Sequence, residues 1–276
     1  MTDDQSVEQL RQTVEQLRQR VSETEHELEI SRAKLSRQLR LAAKVHDSML
    51  PKPVRHDRVL VDVRYVPVDE VGGDYCQAGF SDWETLYVAI CDVTGHGIGP
   101  ALLASRVSSE VRYGIVYGRE PHEIVRSLNR FILSFFAETN LYLTFITAQI
   151  DLVRRRVTWS GAGHPSSLLI RRDGRTVEPL ESQNLVIGVM EDCLAKEPQH
   201  CLELEPGDRL LFYTDGLTET AGADGRLLGT DGLTRIATEA MSLDLFDTAD
   251  HILDQVARYQ HGPTTDDMTL IVAEIR

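Results

Sequence analysis

Four aspartates stand in settings where backbone can come close to an ion: Asp74 in Val71-Gly72-Gly73-Asp74-Tyr75, Asp92 in Cys91-Asp92-Val93-Thr94-Gly95-His96-Gly97, Asp215 in Phe212-Tyr213-Thr214-Asp215-Gly216, and Asp266 in Asp266-Asp267-Met268-Thr269-Leu270. Three of them adjoin runs of β-branched and apolar residues, which puts them at strand ends. A carboxylate at the mouth of a strand, next to a glycine, suits a hard divalent cation. Mg²⁺ and Mn²⁺ take oxygen ligands and usually keep several waters. The chemistry this points to is metal-dependent hydrolysis.

Two kinds of segment must position these groups. Residues 5–50 contain no Gly or Pro, and apolar residues recur every seven positions at Val7, Val14, Val21, Leu28, Leu35, Ala42 and Met49. Taken as a positions, these put Leu10, Leu17, Thr24, Ser31, Gln38 and Val45 at d, so the seam is apolar at first and polar in its middle. β-branched residues at a with Leu at d predict a parallel two-stranded coiled coil, in which Arg20–Glu25 and Glu27–Arg32 attract between chains. A lone amphipathic helix folded back on the domain is the competing reading. Such a helix reaches about 70 Å at 1.5 Å per residue, and Pro51 and Pro53 end it.

From about residue 58 the pattern changes to short strands and turns. Strands are predicted at 59–68, 85–93, 143–151, 156–161, 166–172, 200–205, 209–214 and 268–275. Helices are predicted at 98–117, 121–138, 231–241 and 246–260, the first opened by Gly99-Pro100. Many hairpin-linked strands with helices grouped between them predict an α+β sandwich instead of alternating βαβ units. The expected division is a coiled-coil helix over 1–51 and a catalytic domain over 52–276.

The net charge is −14, and nine acids against eight bases in the first fifty residues leave −13 to the rest. That balance argues against a nucleic-acid or anionic-membrane surface. Cys76, Cys91, Cys193 and Cys201 form no C-x-x-C pair and no disulfide pattern. The chain start lacks an apolar signal segment, and no run approaches the ~18 apolar residues needed to span a bilayer. A soluble cytoplasmic protein is expected.

Gly-Gly-Asp-Tyr, Asp-Val-Thr-Gly-His-Gly, Gly-Ala-Gly-His-Pro, Tyr-Thr-Asp-Gly-Leu-Thr-Glu and Asp-Asp-Met-Thr-Leu follow one another in order. That series resembles the PPM metal-dependent Ser/Thr phosphatases, in particular the bacterial SpoIIE/RsbU branch of sigma-factor partner switching. The resemblance covers about residues 60–275. Ala43 to Pro51 is also similar to the helix that precedes the catalytic domain in this branch, with His46 where Gln is usual and, further on, Thr94 where Ser is usual.

The resemblance implies an αββα fold, a central antiparallel β-sandwich flanked by helices, with two Mn²⁺ or Mg²⁺ ions at one edge. In it Asp92 bridges both ions, the Val93 carbonyl is a further ligand, Asp215 and Asp266 hold one ion, and Asp74 supports the other directly or through water. Asp267 is the alternative to Asp266. Asp92 and Asp74 are the residues expected to carry catalysis. Two cations ~3.5–4 Å apart lower the pKa of a shared water and stabilise a transferring phosphoryl group. The implied substrate is a phosphoserine or phosphothreonine on a small anti-anti-sigma (STAS-type) protein. The branch further implies a dimerising N-terminal segment that gates the helices at 99–117 and 121–138, and an activating protein partner.

His96 has two readings, proton shuttle or structural hydrogen bond, and His164 is expected to have a supporting role at most. The glycines around His164 do not complete a dinucleotide loop. Two other functions compete. His46-Asp47-Ser48-Met49-Leu50-Pro51 has the spacing of a sensor-kinase phosphoacceptor helix, although no ATP-binding boxes follow. A catalytically inactive phosphoprotein-binding regulator is the other, against which the retention of all four acidic positions argues.

Overall fold

The computed structural model describes residues 2–95 and 97–276, and side chains except those of residues 2–10 and 12. It divides into two compact units, 1–45 and 46–276.

The first unit is most of one helix, α1 (Thr2–Asp47). Its described heptad residues Val14, Leu17, Val21, Leu28 and Leu35 lie about half exposed, an apolar stripe uncovered within a single chain. Val7 and Leu10 lie outside the described side chains. No described helix is long and apolar enough to cross a membrane.

The second unit runs β1 (Val54–His56), β2 (Val59–Val66), β3 (Tyr75–Asp82), β4 (Thr85–Val93), α2 (Ile98–Val116), α3 (Pro121–Phe136), β5 (Leu143–Asp151), β6 (Arg156–Ala162), β7 (Ser167–Ile170), β8 (Val177–Leu180), β9 (His200–Glu203), β10 (Arg209–Tyr213), the single turn α4 (Asp215–Thr218), α5 (Gly229–Glu239), α6 (Leu245–Tyr259) and β11 (Met268–Ile275). One sheet has the order β1-β2-β11-β10-β7-β8 and the other β3-β4-β5-β6-β9. Every pairing is antiparallel.

The side-chain period of two explains the layers. On β4, Leu86, Val88 and Ile90 point into the core between the sheets, where Phe212, Ile271 and Ala273 meet them. Tyr87, Ala89, Cys91 and Val93 point the other way, against Leu103, Val107, Ile124 and Leu128 of α2 and α3. On β11, Leu270 and Val272 face Leu233, Ile252 and Val256 of α5 and α6. Both faces of each central strand are therefore buried, so these strands read as continuous apolar runs. This is the expected αββα sandwich. Glu120 caps α3 in a reciprocal capping box with Glu123, and Pro121 occupies its first turn.

Three strands escaped the sequence pattern: β1, β3 and β8. Tyr75–Asp82 contains Gly79 and polar Gln77 and Ser81, a weak strand signal, yet Cys76 and Ala78 are buried in the inter-sheet core. Pro179 demotes β8, and the structure resolves this by placing that strand at a sheet edge.

Candidate metal centre

The four acidic motifs converge at one edge of the sandwich. Asp92 is the penultimate residue of β4 and pairs with Thr144 of β5. Asp215 lies two residues beyond the end of β10, and Asp266-Asp267 immediately precedes β11, the neighbour of β10. Asp74 ends the loop from β2 into β3. Glycine makes the approach possible. A Cβ on Gly73 would lie 2.8 Å from the Val93 carbonyl oxygen and 3.1 Å from that of Gly95. A Cβ on Gly216 would collide with the Asp267 carbonyl, and one on Gly72 with the Asp267 carboxylate.

Asp74 is buried, and its Oδ2 accepts hydrogen bonds from Thr269 Oγ1 (2.6 Å) and Thr214 Oγ1 (2.8 Å). Burial first, and the Asp92 charge second, hold its carboxyl well above the usual range. Asp92 is pushed up to about 7, mainly by burial and then by Asp215, Asp266, Asp267 and Glu219. Asp215 is pushed up to about 6 by burial, then by Asp266 and Glu219. These are carboxylates that resist holding their charges together.

Asp266 and Asp267 have separate tasks. Asp267 is buried; its Oδ1 accepts from Val68 N (2.8 Å) and its Oδ2 from Gly73 N (2.7 Å). Both oxygens thus anchor the loop that carries Asp74. Asp266 is more exposed, accepts from Asp267 N (2.8 Å), and acts electrostatically on both Asp92 and Asp215. This division favours Asp266 over Asp267 as a cation ligand.

The residues fit a hard divalent cation. Their donors are carboxylate and carbonyl oxygens, and Asp215 Oδ1 is buried with no hydrogen-bond partner. Among the described residues no three of these side chains close into a preformed cage.

Several groups around the site were not singled out in the sequence. Thr214 and Thr269 hold Asp74, Glu219 adds charge, and Tyr65 Oη accepts from Gly72 N at 3.1 Å. The available signal was that Thr lies within two residues of Asp in both Thr-Asp-Gly and Asp-Met-Thr-Leu. His96 lies outside the described residues. His164 is buried, with Nδ1 2.8 Å from Thr144 Oγ1 and Nε2 3.0 Å from the Tyr213 carbonyl. His46 is also buried, its Nε2 donating to the Asp74 carbonyl (3.0 Å) and its ring packed on Tyr65. A phosphoacceptor histidine must reach solvent, so this placement removes the sensor-kinase reading.

Solved structures share this fold. The SiaA-PP2C domain of Pseudomonas aeruginosa superposes with a TM-score of 0.79 at 21% identity, over 89% of this chain and 99% of that one. A structure of the PP2C phosphatase domain of SpoIIE from Bacillus subtilis gives 0.66 at 21% identity, over 80% and 64%. The fold is that of the PP2C-type phosphatases. Residues 82–276 match the family described as Stage II sporulation protein E (SpoIIE), and the chain belongs to that family. It is 28% identical to the phosphoserine phosphatase RsbU of Bacillus subtilis over 87% of this chain and 70% of the relative. Against the phosphoserine phosphatase RsbP of the same organism it is 33% identical, over 66% of this chain and 45% of the relative. The chain is accordingly a protein-serine/threonine phosphatase of the PPM class.

Proposed function

We propose that this chain removes phosphate from phosphoserine or phosphothreonine on a small STAS-type regulatory protein in the cytoplasm, with two Mn²⁺ or Mg²⁺ ions held at the sandwich edge. The observation that carries the reading is the convergence of Asp92, Asp215 and Asp266, with burial and mutual repulsion raising the first two carboxyls. Asp92, Asp215, Asp266 and the Val93 carbonyl would hold the ions, and Asp74 would support them directly or through water. Bound there, the ions would supply a water acidic enough to attack phosphorus and positive charge for the transferring phosphoryl group. Thr214 and Thr269 orient Asp74, and Asp267 fixes the loop that bears it.

A protein-sized substrate is supported by the rim. Thr94, two residues beyond Asp92, donates from its N and Oγ1 to the Tyr142 carbonyl, and Leu143 pairs with Ile187. Tyr142 is exposed, as is Ile98, which opens α2 just after the Asp92 motif, and so are Val189 and Met190, two and three residues beyond Ile187. Large apolar side chains left exposed near a site are candidates for contact with another macromolecule. The assay is phosphate release from a phosphoserine STAS protein and from p-nitrophenyl phosphate, with Mn²⁺, Mg²⁺ or EDTA. Met190→Asp is expected to lower kcat/KM on the phosphoprotein about tenfold, equivalent to about 1.4 kcal/mol, and to leave p-nitrophenyl phosphate unaffected. Metal-independent release would refute the metal reading. Phosphoprotein binding without release would make the chain a binding regulator.

The half-exposed stripe of α1 supports a homodimer through that helix, with the polar seam at Thr24, Ser31 and Gln38 the easiest stretch to shift. His46, in the last turn of α1, bonds the Asp74 carbonyl, and Ser108 of α2 donates to Met49 sulfur at 3.7 Å. Those contacts support regulation of the metal site by a partner that changes the coil. Val21→Asp is expected to convert the dimer to monomer in sedimentation equilibrium; a monomeric parent chain would dismiss the coil.

A further inference from the structure

We propose that His164 is a positioning residue: a neutral strut between the two sheets that sets the separation of Asp92 and Asp215, and through it divalent-cation affinity. The inference rests on the assignment of those carboxylates as cation ligands. His164 follows β6 and Gly163, whose φ is 63°, in the connection to β7 of the other sheet. Its imidazole spans the sandwich. A carbonyl only accepts, so Nε2 carries the proton and donates to Tyr213 O at 3.0 Å. Nδ1 is then an acceptor and takes the Thr144 hydroxyl at 2.8 Å.

Both partners matter for where they lie. Thr144 stands opposite Asp92 in the β4–β5 pairing, whereas Tyr213 ends β10 two residues before Asp215. One ring thus ties the strand pair bearing Asp92 to the strand delivering Asp215. Its own backbone is held as well, with His164 N donating to Ser182 Oγ (3.0 Å) and Ser182 Oγ donating to His164 O (2.7 Å). Burial pushes the imidazole down to about 3, so the strut keeps one protonation state at working pH. With both nitrogens occupied and the ring buried, His164 has no free atom for proton transfer to a substrate.

The test separates positioning from mere structural support. Mn²⁺ affinity of the metal-free full chain is measured by calorimetry, with thermal midpoints recorded in parallel, for His164→Ala, Thr144→Val and Ser182→Ala. His164→Ala is expected to weaken Mn²⁺ at least tenfold and Thr144→Val at least threefold. Ser182→Ala, which loosens only the backbone of His164, is expected to lower the midpoint but change affinity less than twofold. Unchanged affinity in His164→Ala overturns the proposal, as does an equal loss in Ser182→Ala. If His164→Ala does not fold, Thr144→Val decides by the same criterion. If the parent chain takes up no Mn²⁺, the metal reading itself has failed. Crystal structures then decide, and an unaltered Asp92–Asp215 separation in Thr144→Val overturns the strut.

Discussion

Asp92→Asn is expected to abolish phosphate release while making the metal-free protein harder to melt. The loss should be about a thousandfold or more in kcat if Asp92 has the proposed role, because losing a cation ligand would withdraw several kcal/mol of stabilisation and each 1.36 kcal/mol is a factor of ten. The gain in stability has a separate cause. In the folded chain the Asp92 carboxylate is disfavoured by burial and by Asp215, Asp266, Asp267 and Glu219, which is why its pKa rises to about 7. A neutral amide of the same shape is spared that repulsion. At pH 7.5 without metal, the thermal midpoint should rise by a few degrees, since about 1 kcal/mol moves a domain of this size by about 2–4 °C. With excess Mn²⁺ the order should reverse. Calorimetric melts with and without Mn²⁺, alongside the phosphate assay, check both halves. An active Asp92→Asn chain, or one that melts lower without metal, would remove Asp92 from the centre of the site.

The second large effect is the pH dependence of the stabilisation given by metal. Asp92 and Asp215 have folded pKa values raised to about 7 and about 6 from an ordinary 3.8, and Asp74 lies well above that value as well. Between about pH 4 and 7 the folded metal-free chain therefore binds more protons than the unfolded chain. Linkage makes these carboxylates' contribution to stability fall as pH rises through that window and level off above it. His46 and His164 act oppositely, since burial lowers both, and a histidine kept neutral by folding adds stability as pH rises toward 6.5. Those terms are common to metal-free and metal-loaded protein and cancel in the difference. Cations need the deprotonated carboxylates, so the midpoint difference between Mn²⁺ and EDTA should be near zero at pH 5. It should widen through pH 6–7 and reach about 5–10 °C at pH 8, as expected for roughly 2.7 kcal/mol at a hundredfold excess over Kd. A difference independent of pH would mean that these carboxylates are not the ligands.

Much of the fold was legible because its strands are long apolar runs and its helices carry clear start signals. Leu143–Asp151, Thr85–Val93 and Met268–Ile275 match their predicted bounds, since β-branched and apolar residues buried on both faces leave little ambiguity. The helix predicted from 121 likewise begins at Pro121, as α3 does. Tyr75–Asp82 was hidden because its strand character comes from pairing with β4 and not from its own composition.

The residue types alone pointed to oxygen donors for a cation. Asp74, Asp92, Asp215 and Asp266 each sit beside glycine, threonine or a strand end in sequence, and local chemistry suffices to read that. Only the tertiary structure decided the division of labour among them. Asp266 and Asp267 are adjacent and chemically identical, yet Asp267 is the one that accepts from the amides of Val68 and Gly73, about two hundred residues earlier in the chain. Likewise nothing local reveals that His164 lies between Thr144 and the Tyr213 carbonyl. Hydrogen bonds between sheets depend on which strands meet face to face, and that is settled by packing the whole sandwich.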